Sequence, residues 1–472
     1  MEDLRNHEFK NYIGGQWVAC AAGKTYPNVN PADTDDIVGR FQASQAEDAA
    51  AAVAAAQAAF DGWRNLAVSK RAALMQRAAD YLEAHAEQFG RELTREEGKA
   101  LNLAKDEVLR SAQTIRFYAA EGQSFSGETF VNDDPDMVVY SQREPLGVVT
   151  VISPWNFPVS IPARKIAPAL ITGNTVVFKP SSDAPLSGLR LVEAFEQAGL
   201  PPGVLNLVTG SASAIGAAIT QASQVRAVSF TGSTAAGEQI HRSVDMTTRT
   251  QMELGGKNPL IVMADADLDR AVDLVVKGGF SLSGQACTGT SRVLVDAPVK
   301  AAFTEKLLAK VKALKVGNSL EGSFDLGPLA TARQLESVMR YIEVGKQEAR
   351  LLCGGERLEG PGYERGYYLT PAVFADVTQQ MRIAREEIFG PVIALIEVNG
   401  YEDAIATTNA QYAHRFARDI QAGTVKINRT TTGNLINAPF GGLKRSSTST
   451  FRESGRIGLE FYTQIKTVYR AG

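Results

Sequence analysis

The sequence has 472 residues, enough for two to four domains of ordinary size. Its 49 Lys and Arg against 52 Asp and Glu leave a net charge of −3, which disfavours a basic nucleic-acid-binding protein. A run of about eighteen apolar residues is absent and the first residues are polar, so we expect neither a membrane span nor a secretory signal. Three scattered cysteines suit neither a disulfide framework nor zinc, so we expect a cytoplasmic protein without a metal.

The first part of the chain is rich in alanine, which favours helices. Ser44–Glu47 has the pattern of a capping box, and the β-branched stretch Gly127–Tyr140 predicts an extended excursion. The predicted helices run from this box to about Phe60, from Ser69 to about Phe89, and over Lys105–Glu121.

From Gly147 onward, short apolar strands alternate with helices, which predicts a doubly wound parallel α/β sheet. A second unit of the same kind follows, and we expect the boundary near Leu254–Pro259. The tail Phe461–Arg470 alternates and predicts an exposed strand that pairs with another subunit. The predicted strands of the two units are Gly147–Ser153, Thr175–Lys179, Val204–Val208, Ala227–Phe230, Leu260–Met263, Ser291–Asp296, one near Leu351, and Thr424–Asn428. The predicted helices between them are Pro185–Ala198, Leu268–Gly278 and Val299–Leu314.

Three residues have settings that favour catalysis. Cys287 lies in a loop of small residues, which leaves its sulfur open to a substrate. Glu253 is flanked by Met, Leu and two glycines, a setting that raises a carboxyl pKa and favours a general base. Asn156 follows a strand, where its amide could bind an oxyanion. The alternatives are a buried structural cysteine, a Glu that caps a helix or pairs with Lys257, and a turn Asn.

Two further features suit a dinucleotide. Lys179 ends an apolar strand and offers a positive charge to phosphate or ribose. Phe230–Gly237 is a glycine-containing turn that enters a helix, where a pyrophosphate can bind. Each feature is weak evidence alone, since most lysines at strand ends are simply solvated.

Together these motifs resemble the NAD(P)-dependent aldehyde dehydrogenase superfamily over almost the whole chain. Any one motif is weak, but seven in this order are specific. They are Pro154-Trp-Asn-Phe-Pro, Phe178-Lys-Pro, Phe230-Thr-Gly-Ser, Met252-Glu-Leu-Gly-Gly-Lys, Gly284-Gln-Ala-Cys, Glu386-Glu-Ile-Phe-Gly-Pro and Pro439-Phe-Gly-Gly.

The resemblance implies a role for each matching residue. Cys287 is expected to add to the aldehyde, Asn156 to form the oxyanion hole with the Cys287 amide, and Glu253 to activate the hydrolytic water. Lys179 and Glu387 are expected to hold the two riboses. The full set expected around NAD or NADP is Ile152, Ser153, Pro154, Trp155, Lys179, Ser181, Ser182, Gly210, Phe230, Gly232, Ser233, Leu254, Glu387 and Phe389.

The resemblance also implies an architecture. Residues 1–122 and 141–254 are expected to form the NAD(P)-binding domain, and 255–438 the catalytic domain. Residues 123–140 and 439–472 are expected to form a small β arm that joins subunits into a homodimer or homotetramer.

Two departures from the family pattern stand out. After Asn409-Ala-Gln-Tyr412 the chain runs straight into Ala413-His-Arg-Phe416, and the usual Gly-Leu-containing strand is missing. Either this is a true deletion, which would put activity in doubt, or the chain omits a stretch. Lys444–Thr450 also replaces a more glycine-rich loop, so the mouth of the substrate tunnel is expected to differ.

The expected substrate is a short aldehyde with a distal carboxylate. Arg164 matches a carboxylate-binding Arg of succinate-semialdehyde dehydrogenases, whereas Ser281 stands where those enzymes have a second Arg. Overall the chain looks most like the α-ketoglutaric semialdehyde (2,5-dioxopentanoate) dehydrogenase group, so 2,5-dioxopentanoate is expected first and succinate semialdehyde second. Thr431, Thr432 and Asn434 are expected to add polar contacts, and the alternative for Arg164 is a surface position on a helix.

Other functions are weighed against this expectation. A broad-specificity aldehyde dehydrogenase stays open, as does a catalytically impaired member if the gap after Tyr412 is real. A CoA-acylating enzyme is disfavoured because such enzymes generally lack the hydrolytic Glu. Ser182 occupies the position where NAD-preferring members place a carboxylate, so NADP is expected to be used well, with NAD also possible.

Overall fold

The computed structural model describes residues 7–400, 403, 410–448 and 450–471. The strands are β1 (Glu8–Phe9), β2 (Asn11–Ile13), β3 (Gln16–Val18), β4 (Thr25–Val29), β5 (Ile37–Gln42), β6 (Thr129–Phe130), β7 (Met137–Pro145), β8 (Val148–Ile152), β9 (Thr175–Lys179), β10 (Leu205–Leu207), β11 (Val225–Thr231), β12 (Arg249–Glu253), β13 (Asn258–Val262), β14 (Thr290–Asp296), β15 (Arg350–Cys353), β16 (Ala372–Ala375), β17 (Val392–Val398) and β18 (Thr463–Ala471). The helices are α1 (Ala46–Arg64), α2 (Val68–Ala84), α3 (Ala86–Glu97), α4 (Leu101–Glu121), α5 (Ser160–Ile171), α6 (Pro185–Gln197), α7 (Ala212–Thr220), α8 (Thr234–Ser243), α9 (Leu268–Phe280), α10 (Lys300–Lys312), α11 (Ala332–Glu348), α12 (Arg382–Arg385) and α13 (Ala410–Asp419).

Two mostly parallel sheets form the centres of the molecule. The first has the order β12-β11-β8-β9-β10-β2-β3, and its first five strands are parallel. The second has the order β13-β14-β17-β16-β15, with only β15 antiparallel. All five residues of β9 are buried, as expected for a strand covered by helices on both faces. The expected α/β fold is confirmed.

A third, smaller sheet has the order β18-β7-β6 and is antiparallel. Strand β18 pairs with β7 of the same chain over nine positions, from Thr463 opposite Pro145 to Ala471 opposite Met137. The predicted terminal strand is therefore present, and one of its two edges is hydrogen-bonded to β7 of the same chain.

The cap of helix α1 is Gln45, one residue later than the capping-box pattern predicts, and the helix begins at Ala46. Ser44 is buried, and its Oγ accepts a hydrogen bond from Asn11 Nδ2 at 2.8 Å. Instead of Glu47, Asp48 accepts from the backbone N–H of Gln45 at 2.9 Å. The prediction of Ser44 as the cap is wrong because a distant side chain has taken the hydroxyl.

The predicted second helix is two helices. Ser69 lies inside α2 and does not cap it, and α2 ends before His85. The backbone of His85 has φ −103° and ψ 11°, which breaks the helix, and α3 then begins at Ala86. The predicted third helix starts four residues earlier, at Leu101.

The predicted strand at Thr424–Asn428 is wrong. The segment is irregular, and the Lys426 ammonium donates to the backbone carbonyls of Thr431, Thr432 and Gly433. These local hydrogen bonds stabilise a turn, and the segment does not form the hydrogen bonds of a β-strand with a neighbouring strand. Among the described strands none pairs with the outer edge of β13, so this segment has no neighbour in the sheet. The junction after Tyr412, where the sequence predicts a missing strand, lies within helix α13, in which the side chains of residues 410–414 are outside the described part of the structure.

Among the described residues, no helix has both the length and the apolar character needed to cross a bilayer.

Candidate active site

The carboxyl ends of five parallel strands meet at one edge of the first sheet, where α/β folds bind ligands. Nearly all of the predicted cofactor residues lie at or just after these ends. Those at the end of β8 are Ile152, Ser153, Pro154 and Trp155, and those at the end of β9 are Lys179, Ser181 and Ser182. Strand β10 is followed by Gly210, and β12 by Leu254. Those at the end of β11 are Phe230, Gly232 and Ser233.

The turn after β11 is tight. The backbone N–H of Gly232 donates to the carbonyl of Glu253 at 3.1 Å. A Cβ on Gly232 would stand 2.5 Å from the Phe230 ring, so any other residue there would force that ring to shift. Ser233 then caps α8 by accepting from the Ala236 N–H at 3.3 Å. The free backbone N–H groups at the start of α8 are suited to binding an anion.

Lys179 is 6% exposed, and its ammonium donates to the carbonyl of Pro180 at 3.2 Å. Burial lowers the pKa of Lys179 to about 8, and Asp183 partly opposes that shift. The hydroxyl of Ser182 donates to the carbonyl of Gly210 at 3.0 Å. The sequence reading missed Asp183, although a carboxylate directly after Ser182 was a visible signal.

Unsatisfied polar groups at this edge fit a polar cofactor. In the described part of the chain, the buried hydroxyls of Ser153 and Thr231 have no hydrogen-bond partner. Buried groups of this kind are costly unless a ligand or water satisfies them. The edge therefore suits the ribose and phosphate groups of a dinucleotide.

The loop before β17 brings Glu387 and Phe389 to the same cleft. The Glu387 carboxylate accepts from the backbone N–H of Gly256 at 3.2 Å, and a Cβ on Gly255 would stand 1.9 Å from its Oε2. Phe389 has a φ of 57° and packs edge-on against Trp155, with the ring centroids 5.5 Å apart. Glu387 and Phe389 therefore contact residues that follow β12 and β8 of the first sheet.

Cys287 follows the 3-10 turn Ser281–Gly284, in which Leu282 and Ser283 have positive φ. The Ser283 hydroxyl donates to the Gly327 carbonyl at 2.7 Å and holds this turn. Burial raises the pKa of the Cys287 thiol to about 11, and Arg164 opposes that rise. The thiol is thus neutral near pH 7 without a bound cofactor.

Asn156 is 2% exposed and points at the loop that carries Cys287. Its Nδ2 donates to the Gln285 carbonyl at 2.9 Å, which uses one of its two amide hydrogens. The other hydrogen has no recorded partner among the described residues. Asn156 and Cys287 are thereby brought together although they are distant in sequence.

Glu253 ends β12, 6% exposed, and lines the same cleft as Cys287. Its Oε1 has no hydrogen-bond partner in the described structure. Burial raises the pKa of Glu253 well above its usual value, and Glu453 adds to the rise. Gly441 backs this carboxylate, since a Cβ there would stand 2.8 Å from Oε1.

The sequence reading also missed a buried polar cluster behind Glu253. Lys165 pairs with Glu453 and donates to Ser229 Oγ at 3.1 Å. Ser229 donates in turn to Gln251 at 2.8 Å. Lys165 and Glu453 are 288 positions apart in the chain, so only the fold could bring them together.

The cleft has a volume of about 1300 Å³ and lies between the two sheets. Arg164 reaches it from α5, with its guanidinium 5.7 Å from the Phe440 ring centre and its Nε donating to the Ser160 carbonyl at 3.3 Å. Every residue predicted to contact the substrate lines it, namely Arg164, Ser281, Thr431, Thr432 and Asn434. No cluster of three His, Cys, Asp or Glu suited to a metal ion occurs among the described residues.

Comparisons with known proteins agree with this geometry. The profile described as "Aldehyde dehydrogenase family" matches residues 17–468. The chain is 44% identical to the α-ketoglutaric semialdehyde dehydrogenase of Bacillus subtilis, with 98% of each chain covered. It is 41% identical to the 2,5-dioxopentanoate dehydrogenase of Saccharolobus solfataricus, covering 98% of this chain and 99% of that protein.

A solved structure has the same fold. Betaine aldehyde dehydrogenase from Staphylococcus aureus in complex with NAD⁺ superposes with a TM-score of 0.95 at 32% identity, covering 98% of this chain and 95% of that one. The family expected from the seven motifs is confirmed. This chain belongs to the aldehyde dehydrogenase family.

Proposed function

We propose that this protein oxidises a short aldehyde with a distal carboxylate to the acid, with 2,5-dioxopentanoate the first candidate and succinate semialdehyde the second. The observation that carries the proposal is Arg164, which lines one cleft with Cys287 and Glu253. A guanidinium binds a carboxylate through two parallel hydrogen bonds. The names of the two relatives above support the same class of substrate.

In the first step, the Cys287 thiolate adds to the aldehyde carbon and forms a thiohemiacetal. The second amide hydrogen of Asn156 and the Cys287 backbone N–H stabilise the oxyanion that develops. Loss of a hydride from this adduct leaves a thioester on Cys287. Burial raises the pKa of the thiol to about 11, and the charge of Arg164, which opposes that rise, helps to populate the thiolate.

NAD or NADP supplies the hydride acceptor when bound. The proposed contacts of the adenosine half of this cofactor are Lys179, Ser181, Ser182 and Gly210. The pyrophosphate is proposed to bind at Gly232 and Ser233. The remaining contacts proposed for the cofactor are Ile152, Ser153, Pro154, Phe230 and Leu254. Glu387 is the proposed partner of the nicotinamide ribose, between the walls formed by Trp155 and Phe389.

Glu253 is the proposed base for hydrolysis. Once ionised, its unpartnered carboxylate takes a proton from water, which attacks the thioester and releases the acid and the Cys287 thiol. This hydrolytic step favours water over CoA as the acyl acceptor. A rate that requires CoA would exclude hydrolysis as the main route.

A true deletion after Tyr412 would support the alternative of an impaired enzyme. The match to the Bacillus subtilis protein is 477 residues long, more than the 472 residues here, so that relative carries residues this chain lacks. Cys287 and Glu253 nevertheless line one cleft, and Asn156 is hydrogen-bonded to the loop that carries Cys287, which supports an active enzyme. A broad-specificity aldehyde dehydrogenase remains the second candidate, because the cleft is wide.

We also propose the domain division at about residue 254 and a homodimer or homotetramer built through the β18-β7-β6 sheet. Val138, Ile465 and Tyr469 support this assembly, since they are apolar and 55%, 63% and 70% exposed. The free thiol of Cys287 supports a reducing, cytoplasmic location.

A substrate panel tests the proposal. NAD(P)H formation is followed with 2,5-dioxopentanoate, succinate semialdehyde, propanal, benzaldehyde and betaine aldehyde. We expect the highest kcat/KM on the two acidic aldehydes. Higher kcat/KM on the uncharged or cationic aldehydes would refute the proposed substrate class, and no turnover with any aldehyde would support the impaired alternative.

A further inference from the structure

A second arginine faces the substrate cleft from a helix that the sequence reading left without a role. Leu103, Arg110 and Thr114 of α4 line the cleft, at spacings of seven and four that place them on one face of the helix. Thr114 is held by its hydroxyl, which donates to the Arg110 carbonyl at 2.9 Å. The side chain of Arg110 is therefore carried by a rigid element that packs against α5, the helix of Arg164.

Arg110 has no counter-charge of its own. In the part of the chain that the structure describes, its guanidinium has neither a recorded ion pair nor a hydrogen bond. Among the described residues, the guanidinium of Arg164 has a single hydrogen bond, to the Ser160 carbonyl, and no ion pair. Two carboxyl groups of the cleft act on α5. Glu453 is paired with Lys165, and Glu253 lies within the field of Arg164, but burial raises its pKa and favours its neutral form.

Arg110 lies within the fields of two other cations. Burial and then the charge of Arg164 lower the pKa of Arg110. Burial lowers the pKa of Lys426 to about 8, and the charge of Arg110 adds to that shift. Lys426 itself holds the loop Thr431–Gly433, which also lines the cleft. Three cations thus lie around one region of the cleft, and a bound anion would relieve their mutual repulsion.

We propose that Arg110, with Arg164, binds the distal carboxylate and the adjacent 2-oxo group of the substrate. This inference rests on the proposed function and extends it to a residue that determines specificity. A 2-oxo acid presents three acceptor oxygens at one end, enough for two guanidinium groups. At the position where succinate-semialdehyde dehydrogenases have a second Arg, this chain has Ser281, which offers only a hydroxyl. Arg110 supplies the second positive charge instead.

The inference makes a distinction between substrates. Succinate semialdehyde has a carboxylate but no 2-oxo group, so it can engage one guanidinium fully and the other only in part. Propanal engages neither. Arg110 is therefore expected to favour 2,5-dioxopentanoate over succinate semialdehyde, and both over propanal.

The test compares Arg110→Met with a matched control, Arg116→Met. Arg116 lies on the same helix, but it pairs with Asp80 and Glu83 and does not line the cleft. In Arg110→Met we expect the ratio of KM for 2,5-dioxopentanoate to KM for propanal to rise at least tenfold, with kcat changed less than twofold. The Ki of 2-oxoglutarate, the corresponding product, is expected to rise in parallel. Arg110→Lys is expected to recover part of both, which shows that the fold is intact.

The outcomes separate this inference from the proposed function. If the wild type prefers acidic aldehydes and Arg110→Met keeps both the KM ratio and the Ki, the inference is overturned and the proposed function stands. An equal loss on propanal, or an equal effect of Arg116→Met, also overturns it, because Arg110 would then act on the fold. A wild type without preference for acidic aldehydes overturns the proposed function, and the role of Arg110 with it.

Discussion

Lys165 and Glu453 form a buried ion pair beside the proposed catalytic base. Their side chains are 0% and 3% exposed, and the charges of both act on Glu253. Glu453 raises the pKa of Glu253, whereas Lys165 lowers it. Because the pair is nearly neutral as a unit, burial remains the largest cause of the raised pKa. Burial and the charges of this pair together set the pH at which the base becomes ionised.

The first prediction concerns this pair. Glu453→Gln removes a negative charge that raises the pKa of Glu253, while the Lys165 charge continues to lower it, so the pKa of Glu253 moves down. Glu253 acts in its ionised form, and the rate rises with pH through its pKa. We therefore expect the acid limb of the pH profile of kcat to move to lower pH by about one unit.

The pH profile is measured on protein whose fold is checked by its thermal midpoint, because breaking a buried pair costs about 3–5 kcal/mol. Glu460→Gln is a suitable control, since this exposed carboxylate lies seven positions away. A limb that stays in place, or moves to higher pH, would contradict the influence of Glu453 on the base.

The second prediction concerns the nucleophile. Cys287→Ala is expected to abolish aldehyde oxidation, because no other sulfur takes its place in the cleft lining. Dinucleotide binding, measured by quenching of tryptophan fluorescence, is expected to persist. Cys353→Ala is the control, since Cys353 lies on the edge strand β15 and is not among the residues that line the cleft, and this variant is expected to keep normal turnover. Turnover in Cys287→Ala would refute the mechanism.

The third prediction concerns hydrolysis. Glu253→Gln keeps the size of the side chain but cannot take a proton from water, so deacylation becomes the slow step. We expect a rapid burst of NAD(P)H about equal to the enzyme sites, followed by a steady state about 100-fold slower or more. Stopped-flow absorbance at the nicotinamide band measures both phases. An unchanged steady-state rate would exclude Glu253 as the base.

The fourth prediction concerns the cofactor. Burial lowers the pKa of Lys179 to about 8, so its charge is present below that pH and is lost as the pH rises through it. Because a bound 2′-phosphate favours the charged form, the observed midpoint lies at or above 8. We expect KM for NADP to rise between pH 7 and pH 9 by more than KM for NAD.

Side-by-side kinetics with the two cofactors provide this measurement, and Lys179→Met is expected to remove the difference in pH dependence. NADP is expected to be used well at pH 7, since Ser182 leaves room for the phosphate. Asp183 acts in the opposite sense, because its carboxylate lies near Lys179. A strong preference for NAD at pH 7 would show that Asp183 prevails.

Local patterns predicted the buried strands well. The run ending at Lys179 has an apolar centre, Val176–Phe178, and β9 has the predicted bounds because a parallel strand covered on both faces has little room for polar residues. Helix ends were less predictable. Ser44 looked like a cap, yet its hydroxyl is taken by Asn11, 33 positions away. No local pattern contains that competitor.

The residues of the candidate site were also predictable only in part. Cys287, Glu253 and Asn156 stand in short motifs whose composition reveals their chemistry. Glu453 and Arg110 stand in ordinary polar stretches, and their importance depends on the neighbours that the fold supplies. The strand predicted at Thr424–Asn428 had the right composition, but the structure offers it no partner strand, and Lys426 stabilises a turn there.

The pairing of β18 with β7 has a consequence for the synthesis of this protein. Arg143 of β7 and Thr463, the first residue of β18, are 320 positions apart. At about 5–20 residues per second, the ribosome needs about 16–64 s to make the intervening chain. During that time β7 has only the two-residue strand β6 beside it, and so short a hairpin is marginal in water. The nascent chain thus carries an open strand edge for tens of seconds, a period in which a chaperone would protect it from aggregation.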